Sequence, residues 1–444
     1  MNKRTVLLFL MVAIAMATFA SSPTVSNVTV LPLADKIYSN SSFRYDLSGE
    51  AGIVTFHLET NGVPVNCSYA NTSGDMNVLL RPGRHSFVWR NDIDLPDVII
   101  RSPSCRIVIK AWSTNSPPDY LVYNLETPSE APRYYAKAAD VPGGVTATKY
   151  KTTHLVMRRI HAAGQSFLMG SQSSDPVYAA NAAVHEVAFT RDFYIGIYEV
   201  TIGQMLKAKS SGSTVLTAYK NSFTESSAIY NEVKKTTDLN CSRAAAQTTF
   251  KWYWFGAGYS YPSTGKTCMS GGQMQAFRTA TGNPTMLLPT SYQWEFACRA
   301  GSCMRLYSGS RASSGTDVDT LGWHVGNNAE DPDWYYESET ERYLPHVVGL
   351  KAPNAWGLYD MLGNVDEMCV DAWAASPIRN ADGTPVVDPV GPWVSADTTQ
   401  RVVRGGNLMN DSKYLCAGYQ FNGDPTAAYL NRGFRLACDV EVSR

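Results

Sequence analysis

The sequence lacks an excess of charge of either sign. Its 38 lysine and arginine residues are balanced by 39 aspartate and glutamate residues, which gives a formal net charge of −1. A protein that binds nucleic acid or anionic lipid through its overall charge needs a strongly basic surface. We therefore expect no nucleic-acid partner, and any binding specificity must come from local sites.

Long apolar runs are also missing after the first 20 residues. Those first residues combine a basic start, an apolar run and small residues at Thr18 and Ala20, which predicts a secretory signal peptide over residues 1–20. A membrane anchor is the alternative, because the apolar run is close to the ~18 residues that a membrane span needs. We expect an exported protein (periplasmic, cell-surface or secreted) with no stable membrane insertion after cleavage.

The chain contains 9 cysteines but no Cys-x-x-Cys pair and no cysteine–histidine cluster with zinc-finger spacing, which excludes a structural zinc site of the usual kinds. The odd number leaves at least one thiol unpaired. Disulfides are permitted in an exported chain, so Cys67 and Cys105 can join within the N-terminal region or remain free.

The N-terminal third is rich in short strand patterns. Residues 52–66 alternate around Asn61-Gly62, which predicts a β-hairpin, and further strands are expected near 86–92, 105–114 and 120–125. This spacing predicts a β-sandwich over residues 22–126, fibronectin-III-like or immunoglobulin-like. It would act as a spacer, an adhesion module or a packing unit. Residues 127–153 are expected to be a linker, and a second domain is expected over 154–444.

Six phrases of this second domain follow one another in a specific order. They are FLMGS (167–171), DFYIGIYEVTIGQM (192–205), LLPTSYQWEFACRAGS (287–302), VGLKAPNAWGLYDMLGNVDEM (348–368), RVVRGG (401–406) and NRGFRLA (431–437). Together they resemble the formylglycine-generating enzyme family, the sulfatase-modifying-factor domain. The resemblance implies an α+β fold, a variant of the C-type lectin fold with little regular secondary structure. The unpatterned stretch 210–282 is consistent with such a fold.

Local patterns within these phrases add predictions about structure. Thr201 is a candidate N-cap, and Pro289-Thr290 begins an amphipathic helix that Gly301 ends. Glu295 and Arg299 are spaced to pair along that helix. Arg404 and Arg435 are expected in buried hydrogen-bond networks.

The resemblance implies a specific chemistry, which this sequence does not retain. The family oxidises a cysteine of a sulfatase to formylglycine with oxygen, at copper(I) held by two cysteine thiolates, the soft ligands that this ion selects. Those cysteines lie four and nine residues after the second glycine of the RVVRGG phrase, at positions that hold Asn410 and Leu415 here. We therefore do not expect copper(I). Cys416 lies one residue further on, which turns its side chain to the opposite face if the segment is extended. It is a weak catalytic candidate, and a small buried residue or half of a disulfide is the alternative.

Other metals implied by the wider family are a nonheme iron and calcium. An iron site would have to be built from distant residues such as His185, His324 and His346. The calcium phrase is better preserved, with side-chain ligands expected from Asp360 and Glu367 and carbonyl ligands from Gly363 and Val365. A turn without metal is the alternative.

Further features depend on the resemblance alone. Asp366 and Met368 replace tryptophans that are usual in the family, which suggests altered packing near the site. A link between equivalent elements in family members implies a possible disulfide between Cys298 and Cys438.

We expect a calcium-stabilised binding module without oxidase activity. Its ligand would be a peptide, an exported protein or a glycan, and its binding face would comprise Asn407, Asn410, Tyr414, Tyr419 and Phe421. One alternative is a formylglycine-generating oxidoreductase with a metal site rebuilt around Cys416. Another is a target-variable receptor that is diversified between Gly406 and Gly433.

Overall fold

The computed structural model describes residues 21–31, 41–96, 105–128, 130–178, 182–208, 273–328, 345–374, 376–389, 400–424 and 431–440. The expected signal peptide and most of the unpatterned stretch 210–282 lie outside these residues. Among the residues described, no helix is both long enough and apolar enough to cross a membrane.

The described part of the N-terminal region contains eight strands and a short helix. They are β1 (Thr24–Leu31), β2 (Ser41–Ser48), β3 (Gly52–Thr60), β4 (Val63–Pro64), β5 (Thr72–Gly74), β6 (Leu79–Leu80), β7 (Gly83–Trp89), α1 (Asn91–Asp94) and β8 (Cys105–Ser113). One sheet has the order β1-β2-β7-β5, and the other has the order β4-β3-β6 with β8 also paired to β3. Both sheets contribute to one aromatic core, in which the rings of Phe56 and Phe87 lie 4.9 Å apart.

The predicted hairpin at Asn61-Gly62 is confirmed. Strands β3 and β4 pair antiparallel across it, with Glu59 opposite Pro64. Asn61 and Gly62 have φ values of 53° and 77°. A two-residue turn with positive φ at both positions matches the twist of the strands that it joins, and asparagine and glycine adopt this conformation at low cost.

The remaining elements belong to the larger C-terminal region. They are β9 (Tyr120–Asn124), β10 (Arg133–Tyr135), β11 (His154–Ile160), β12 (Ser166–Met169), β13 (His185–Ala188), β14 (Phe193–Gly196), α2 (Ile202–Ala208), α3 (Gln273–Thr281), α4 (Ser291–Arg299), α5 (Thr316–Asp319), β15 (Asp366–Ala372), β16 (Val386–Val387), β17 (Arg401–Arg404), β18 (Gln420–Gly423), β19 (Arg432–Gly433) and β20 (Ala437–Asp439). Three sheets result, with the orders β10-β9-β11-β14-β20, β12-β13-β16 and β18-β17-β15-β19.

Strand β9 corrects the expected domain boundary. The sequence pattern predicts that residues 120–125 belong to the N-terminal sheets and that residues 127–153 form a linker. In the structure β9 pairs antiparallel with β11, and β10, which lies within the expected linker, pairs with β9. The alternation of apolar residues identified a strand but could not identify its partner, because pairing depends on residues distant in sequence.

The N-terminal sheets pack directly against this C-terminal sheet. Ile53 of β3 is fully buried in a cluster whose other buried members belong to the C-terminal region, and Trp112 packs against the same cluster. The amide of Tyr134 donates to the carbonyl of Asn77 at 2.7 Å, and Lys137 donates to the carbonyl of Cys67 at 3.1 Å. These contacts favour a packing unit over a loosely tethered spacer.

Helices α2 and α4 begin where the sequence predicts. The hydroxyl of Thr201 accepts from the amide of Gln204 at 3.2 Å, and Thr290 forms a capping box with Gln293. Helix α4 ends at Ala300, which has a φ of 46° and precedes Gly301. These caps satisfy amide groups that would otherwise lack partners at the helix start.

The predicted pair of Glu295 and Arg299 is confirmed, although it is buried rather than exposed. Arg299 donates to Glu295 at 2.6 Å, and Arg404 of β17 donates to the other carboxylate oxygen at 2.9 Å. Glu295 has no exposed surface, and the nearby arginines lower the pKa of its carboxyl group against the opposing effect of burial. The pair thus joins α4 to the strand that leads into the double glycine.

Candidate functional site

The double glycine makes a sharp turn after β17. Gly405 and Gly406 have φ values of 92° and 70°, a conformation that residues with a Cβ adopt at a cost. The carbonyl of Gly405 accepts from the amide of Gly363 at 3.1 Å, and the amide of Leu408 donates to the carbonyl of Asn364 at 2.9 Å. The turn therefore holds the loop after residue 406 against the loop that carries the calcium phrase.

Positions 410 and 415 are built into this loop as structural residues. The side-chain oxygen of Asn410 accepts from the amide of Asn407 at 3.0 Å, and the Asn410 carbonyl accepts from Val325 at 3.0 Å. Leu415 has no exposed surface and belongs to a large apolar cluster. Neither side chain has the chemistry to hold a soft metal ion.

Cys416 lies in a different environment. Its side chain is 1% exposed, and burial raises the pKa of its thiol to about 11. The thiol is therefore protonated at neutral pH, whereas the thiolate is the nucleophile and metal ligand. Cys416 contributes to the wall of a cavity of about 360 Å³, which Cys303 also lines.

Three aromatic residues of the expected binding face form a continuous row. The ring centroids of Tyr414 and Tyr419 lie 5.1 Å apart, and those of Tyr419 and Phe421 lie 5.6 Å apart with nearly parallel planes. All three side chains are only partly buried. The Lys413 ammonium lies 5.3 Å from the centre of the Tyr414 ring, and the Arg432 guanidinium lies 5.4 Å from that of Phe421. We call Tyr414, Tyr419 and Phe421 the aromatic row.

Asn407 does not share this surface, which corrects its place in the expected binding face. It is 2% exposed, and its amide donates to the Asp366 carboxylate at 2.8 Å. Asp366 also accepts from Arg432 at 2.7 Å. Burial raises the pKa of Asp366, while Arg432 and Asn407 act in the opposite direction. Asp366, Arg432 and Asn407 thus form a buried polar triad, in which the acidic side chain accepts from a basic side chain and from an amide.

The residues of the calcium phrase do not converge as expected. Both oxygens of Glu367 accept from Arg435, at 2.6 and 2.7 Å, and one also accepts from Trp294 at 2.8 Å. Asp360 accepts from the amide of Gly349 through one oxygen, while its other oxygen is buried without a hydrogen-bond partner among the described residues. In the same part of the chain, no group of three or more histidine, cysteine, aspartate or glutamate side chains is arranged to hold a metal. Asp360 and Glu367 thus differ, because Arg435 pairs with the carboxylate of Glu367.

Glu199 is a buried acid that the sequence analysis missed. Its oxygens accept from the side-chain amide of Asn364 at 2.7 Å and from the amide of Val365 at 3.2 Å. Burial, together with the charges of Asp360 and Glu367, raises the pKa of Glu199 well above its ordinary value. Burial likewise raises the pKa of Asp360, to about 6. The surroundings of the loop thus have an excess of acidic groups that a cation would offset.

Two groupings of side chains that the sequence left open are not formed among the described residues. His185, His324 and His346 have separate partners: His185 bonds to the Ala183 carbonyl, His324 to Asp319 and His346 to Asn328. Cys298 and Cys438 are free buried thiols in different apolar clusters. Ala437 lies in the cluster that contains Cys298, and because side chains alternate along a strand, the neighbouring Cys438 faces the other way, toward Met157. Cys67 and Cys105 likewise form no disulfide with each other or with any other cysteine in the described ranges.

Comparison with known proteins supports the resemblance. A family model for the sulfatase-modifying factor enzyme 1-like domain matches residues 145–440. The formylglycine-generating enzyme of Bos taurus is 26% identical over 333 residues, which is 70% of this chain and 82% of that protein. The formylglycine-generating enzyme of Thermomonospora curvata is 30% identical over 157 residues, 34% of this chain and 49% of that protein. The match thus spans about half the length of the bacterial enzyme.

Two solved structures also align with this chain. Treponema denticola variable protein 1 aligns with a TM-score of 0.43 at 20% identity, covering 65% of this chain and 96% of that one. PvdO from Pseudomonas aeruginosa aligns with a TM-score of 0.41 at 18% identity, covering 64% and 94% of the two chains. Likeness at this level carries no argument about function.

Proposed function

Because the chain belongs to the sulfatase-modifying factor enzyme 1-like family, we propose that it is an exported, calcium-stabilised binding protein without the oxidase chemistry of its formylglycine-generating relatives. The observation that carries this proposal is the structural role of Asn410 and Leu415, the residues at the two positions where the family has its copper-binding cysteines. Asn410 is committed to hydrogen bonds within its loop, and Leu415 is packed in the core. Two thiolates that could hold copper(I) are therefore missing from the place where the family chemistry requires them.

The aromatic row supports a role in binding. It presents three partly exposed rings in sequence, with cationic groups over the rings at both ends. Aromatic rings provide large and rigid contact area at a low cost in conformational entropy, and tyrosine adds a hydroxyl that can hydrogen-bond. Such a surface suits the apolar face of a sugar ring or an extended peptide. The ligand is accordingly a glycan, a peptide or a segment of an exported protein.

Calcium has a structural part in this proposal. Asp360 would bind it through the carboxylate oxygen that lacks a partner, together with the carbonyls of Gly363 and Val365. The ion would supply positive charge beside Glu199, Asp360 and Glu367. Among the described residues, Arg435 pairs with the carboxylate of Glu367 but reaches Asp360 only at its carbonyl. Neutralising these buried acids would stabilise the loop on which the double-glycine turn rests.

A second candidate function is an oxidoreductase with a rebuilt metal site. The specific observation in its favour is that Cys303 and Cys416 line the same cavity. Two thiolates could hold copper(I) there, although burial raises the pKa of Cys416 and thus opposes formation of its thiolate. This candidate predicts tight binding of copper(I), whereas the binding-protein proposal predicts none. A copper titration therefore separates the two functions.

The deciding experiment is a copper(I) titration of the reduced full-length protein, followed by oxygen uptake in the presence of a sulfatase-motif cysteine peptide. The variant Asn410→Cys, Leu415→Cys serves as the matched positive control, because it restores a thiol at each family position. We expect weak, non-stoichiometric copper binding and no turnover in the wild type. One tightly bound equivalent with turnover that is lost in Cys416→Ala would establish the oxidoreductase instead.

Export is tested separately. The sequence predicts cleavage after Ala20, so the protein recovered from outside the cytoplasm should begin at Ser21. Terminal sequencing of that material checks the prediction, and a chain that retains residues 1–20 in the membrane fraction would contradict it.

A further inference from the structure

The cavity of about 360 Å³ is separate from the aromatic row, none of whose members line it. It lies between the segment that follows β12, the segment that follows α4 and residues 416–418. Three arginines face it: Arg299, Arg305 and Arg311. The cavity therefore combines guanidinium groups from different parts of the chain in one place.

The floor of the cavity is fixed by buried hydrogen bonds. The amide of Gly170 donates to Glu295 at 2.7 Å, and its carbonyl accepts from Arg299 at 2.8 Å. Gly418 packs so closely that a Cβ there would lie 2.3 Å from the Ser171 hydroxyl and 2.7 Å from the Gly170 carbonyl. A cavity whose walls are held in place loses little conformational entropy when a ligand binds.

Arg305 supplies a hydrogen-bond donor that nothing in the described chain satisfies. Its side chain is 5% exposed, with one terminal nitrogen paired to Asp175 and the other donating to the Lys413 carbonyl. Its Nε is buried and has no partner among the described residues. A buried donor without an acceptor is destabilising, so an acceptor supplied by a ligand would be stabilised there.

The charges around the cavity favour an anionic ligand. Arg305 is compensated by Asp175 and Arg299 by Glu295, whereas Arg311 has no carboxylate partner in the part of the chain that the structure describes. Arg311 is exposed and donates only to the sulfur of Met304, at 3.4 Å. Its positive charge is thus available to a ligand at the opening.

The opening also has an apolar border. Leu168 and Val184 line the cavity and are 59% and 37% exposed. An inorganic anion would make no use of these side chains. A peptide with an acidic residue between apolar residues would use both the guanidinium groups and the apolar border.

We propose that this cavity binds a peptide segment through the carboxylate of an aspartate or glutamate side chain. The carboxylate accepts from the Nε of Arg305 and interacts with the charge of Arg311, while neighbouring apolar side chains lie on Leu168 and Val184. This site is separate from the aromatic row.

The test uses the full-length protein and two blocked tetrapeptides, one with an aspartate between leucines and one with an asparagine in its place. We expect the aspartate peptide to bind at least about tenfold more tightly, because a hydrogen bond to a charged group is roughly twice as strong as a neutral one. Arg311→Gln should weaken that binding by about threefold, and Arg305→Met by more. Arg81→Gln, at an exposed arginine of the N-terminal region, is the matched control and should change nothing.

Protection of Cys303 from N-ethylmaleimide gives a readout at the site itself, because this thiol is exposed and lines the cavity. The aspartate peptide should slow alkylation of Cys303, measured on its own proteolytic fragment by mass spectrometry. If Arg305→Met fails to fold, Arg311→Gln and the protection assay still test whether the cavity binds the aspartate peptide. Equal binding of the two peptides, no binding at millimolar concentration, or unchanged alkylation of Cys303 would each overturn the proposal.

Discussion

The Nε of Arg432 donates to Oδ1 of Asp366 at 2.7 Å, and both side chains are buried. These residues lie on β19 and β15, which pair in parallel with 366 opposite 432. The ion pair and the amide of Asn407 thus accommodate an acidic residue at a position where the family usually has tryptophan. The loop that carries the aromatic row rests on this triad, since Asn407 begins it.

We predict that Arg432→Met destabilises the protein by about 3–5 kcal/mol, because it leaves the carboxylate of Asp366 buried without a counter-charge. The double variant Asp366→Leu, Arg432→Met should recover most of that loss, since neither member of the pair then remains as a buried charge without its partner. Urea unfolding of the two single variants and the double variant measures the effect as a double-mutant cycle.

The pair of Arg84 and Asp46 provides a matched control for this cycle. This pair also joins an arginine Nε to an aspartate Oδ1, at 3.2 Å, but the Arg84 side chain is 70% exposed. We expect Arg84→Met to cost less than about 1 kcal/mol. Similar losses in the two pairs would show that burial of the Asp366–Arg432 pair has no energetic consequence.

Calcium should stabilise the wild-type protein through Asp360. An ion present at 100 times its dissociation constant would add about 2.7 kcal/mol to the free energy of unfolding. Asp360→Ala should abolish this increment, and its cost in the presence of a chelator reports separately the loss of the acceptor for the Gly349 amide. Thermal unfolding with calcium, magnesium and chelator measures the difference.

The exposed Asp382 is the control for the calcium prediction, because it lies in a turn and accepts from Thr384. Asp382→Ala should retain the full response to calcium. A response to calcium that persists unchanged in Asp360→Ala would place the ion elsewhere.

The aromatic row should fail as a binding surface when its central ring is removed. Tyr419→Leu keeps apolar volume but loses the ring that contacts both Tyr414 and Phe421. We expect affinity for a glycan or peptide ligand identified on arrays to fall by about threefold or more, since an aromatic contact contributes about 0.5–1.5 kcal/mol.

Tyr178→Ala is the control for this prediction, because Tyr178 is an exposed tyrosine outside the row. It should leave the affinity unchanged. An array on which wild type and Tyr419→Leu bind the same ligands equally well would exclude the row as the binding surface.

The sequence predicted features that depend on neighbouring residues. The Asn61-Gly62 turn, the caps at Thr201 and Thr290 and the Glu295–Arg299 pair are each encoded within a few positions, and the structure contains all of them. The burial of Arg404 and Arg435 was also expected from the family phrases.

Features that depend on contacts between distant segments could not be predicted in the same way. Asp366 and Arg432 are 66 residues apart, and no local pattern connects them. Glu199 follows a buried strand in the phrase FYIGIYEV, where a single acid among apolar residues was the only signal of its burial. Glu367 was assigned to calcium by resemblance, and its contact with Arg435 was not visible in the sequence.

Asp140 provides a prediction about pH. It is 7% exposed, one carboxylate oxygen has no hydrogen-bond partner, and Lys137 lies 3.8 Å from that oxygen. Burial raises the pKa of its carboxyl group from 3.8 to about 6, opposed mainly by Lys137 and reinforced by Asp94. The folded state therefore binds this proton more tightly than the unfolded chain does.

The stability that Asp140 contributes is thus complete below pH 3.8, the ordinary value, and is lost as the pH rises through about 6. At neutral pH its ionised form should cost roughly 1–3 kcal/mol, so Asp140→Asn, which cannot ionise, should be more stable than wild type at pH 7.5 and similar to it at pH 4. Urea unfolding across this range measures the difference. The partly buried Asp46, whose pKa is lowered by Asn27 and Arg84, is the control, because Asp46→Asn should not gain stability at the higher pH. A difference between wild type and Asp140→Asn that does not grow between pH 4 and 7.5 would show that the carboxyl group of Asp140 is solvated in the folded protein.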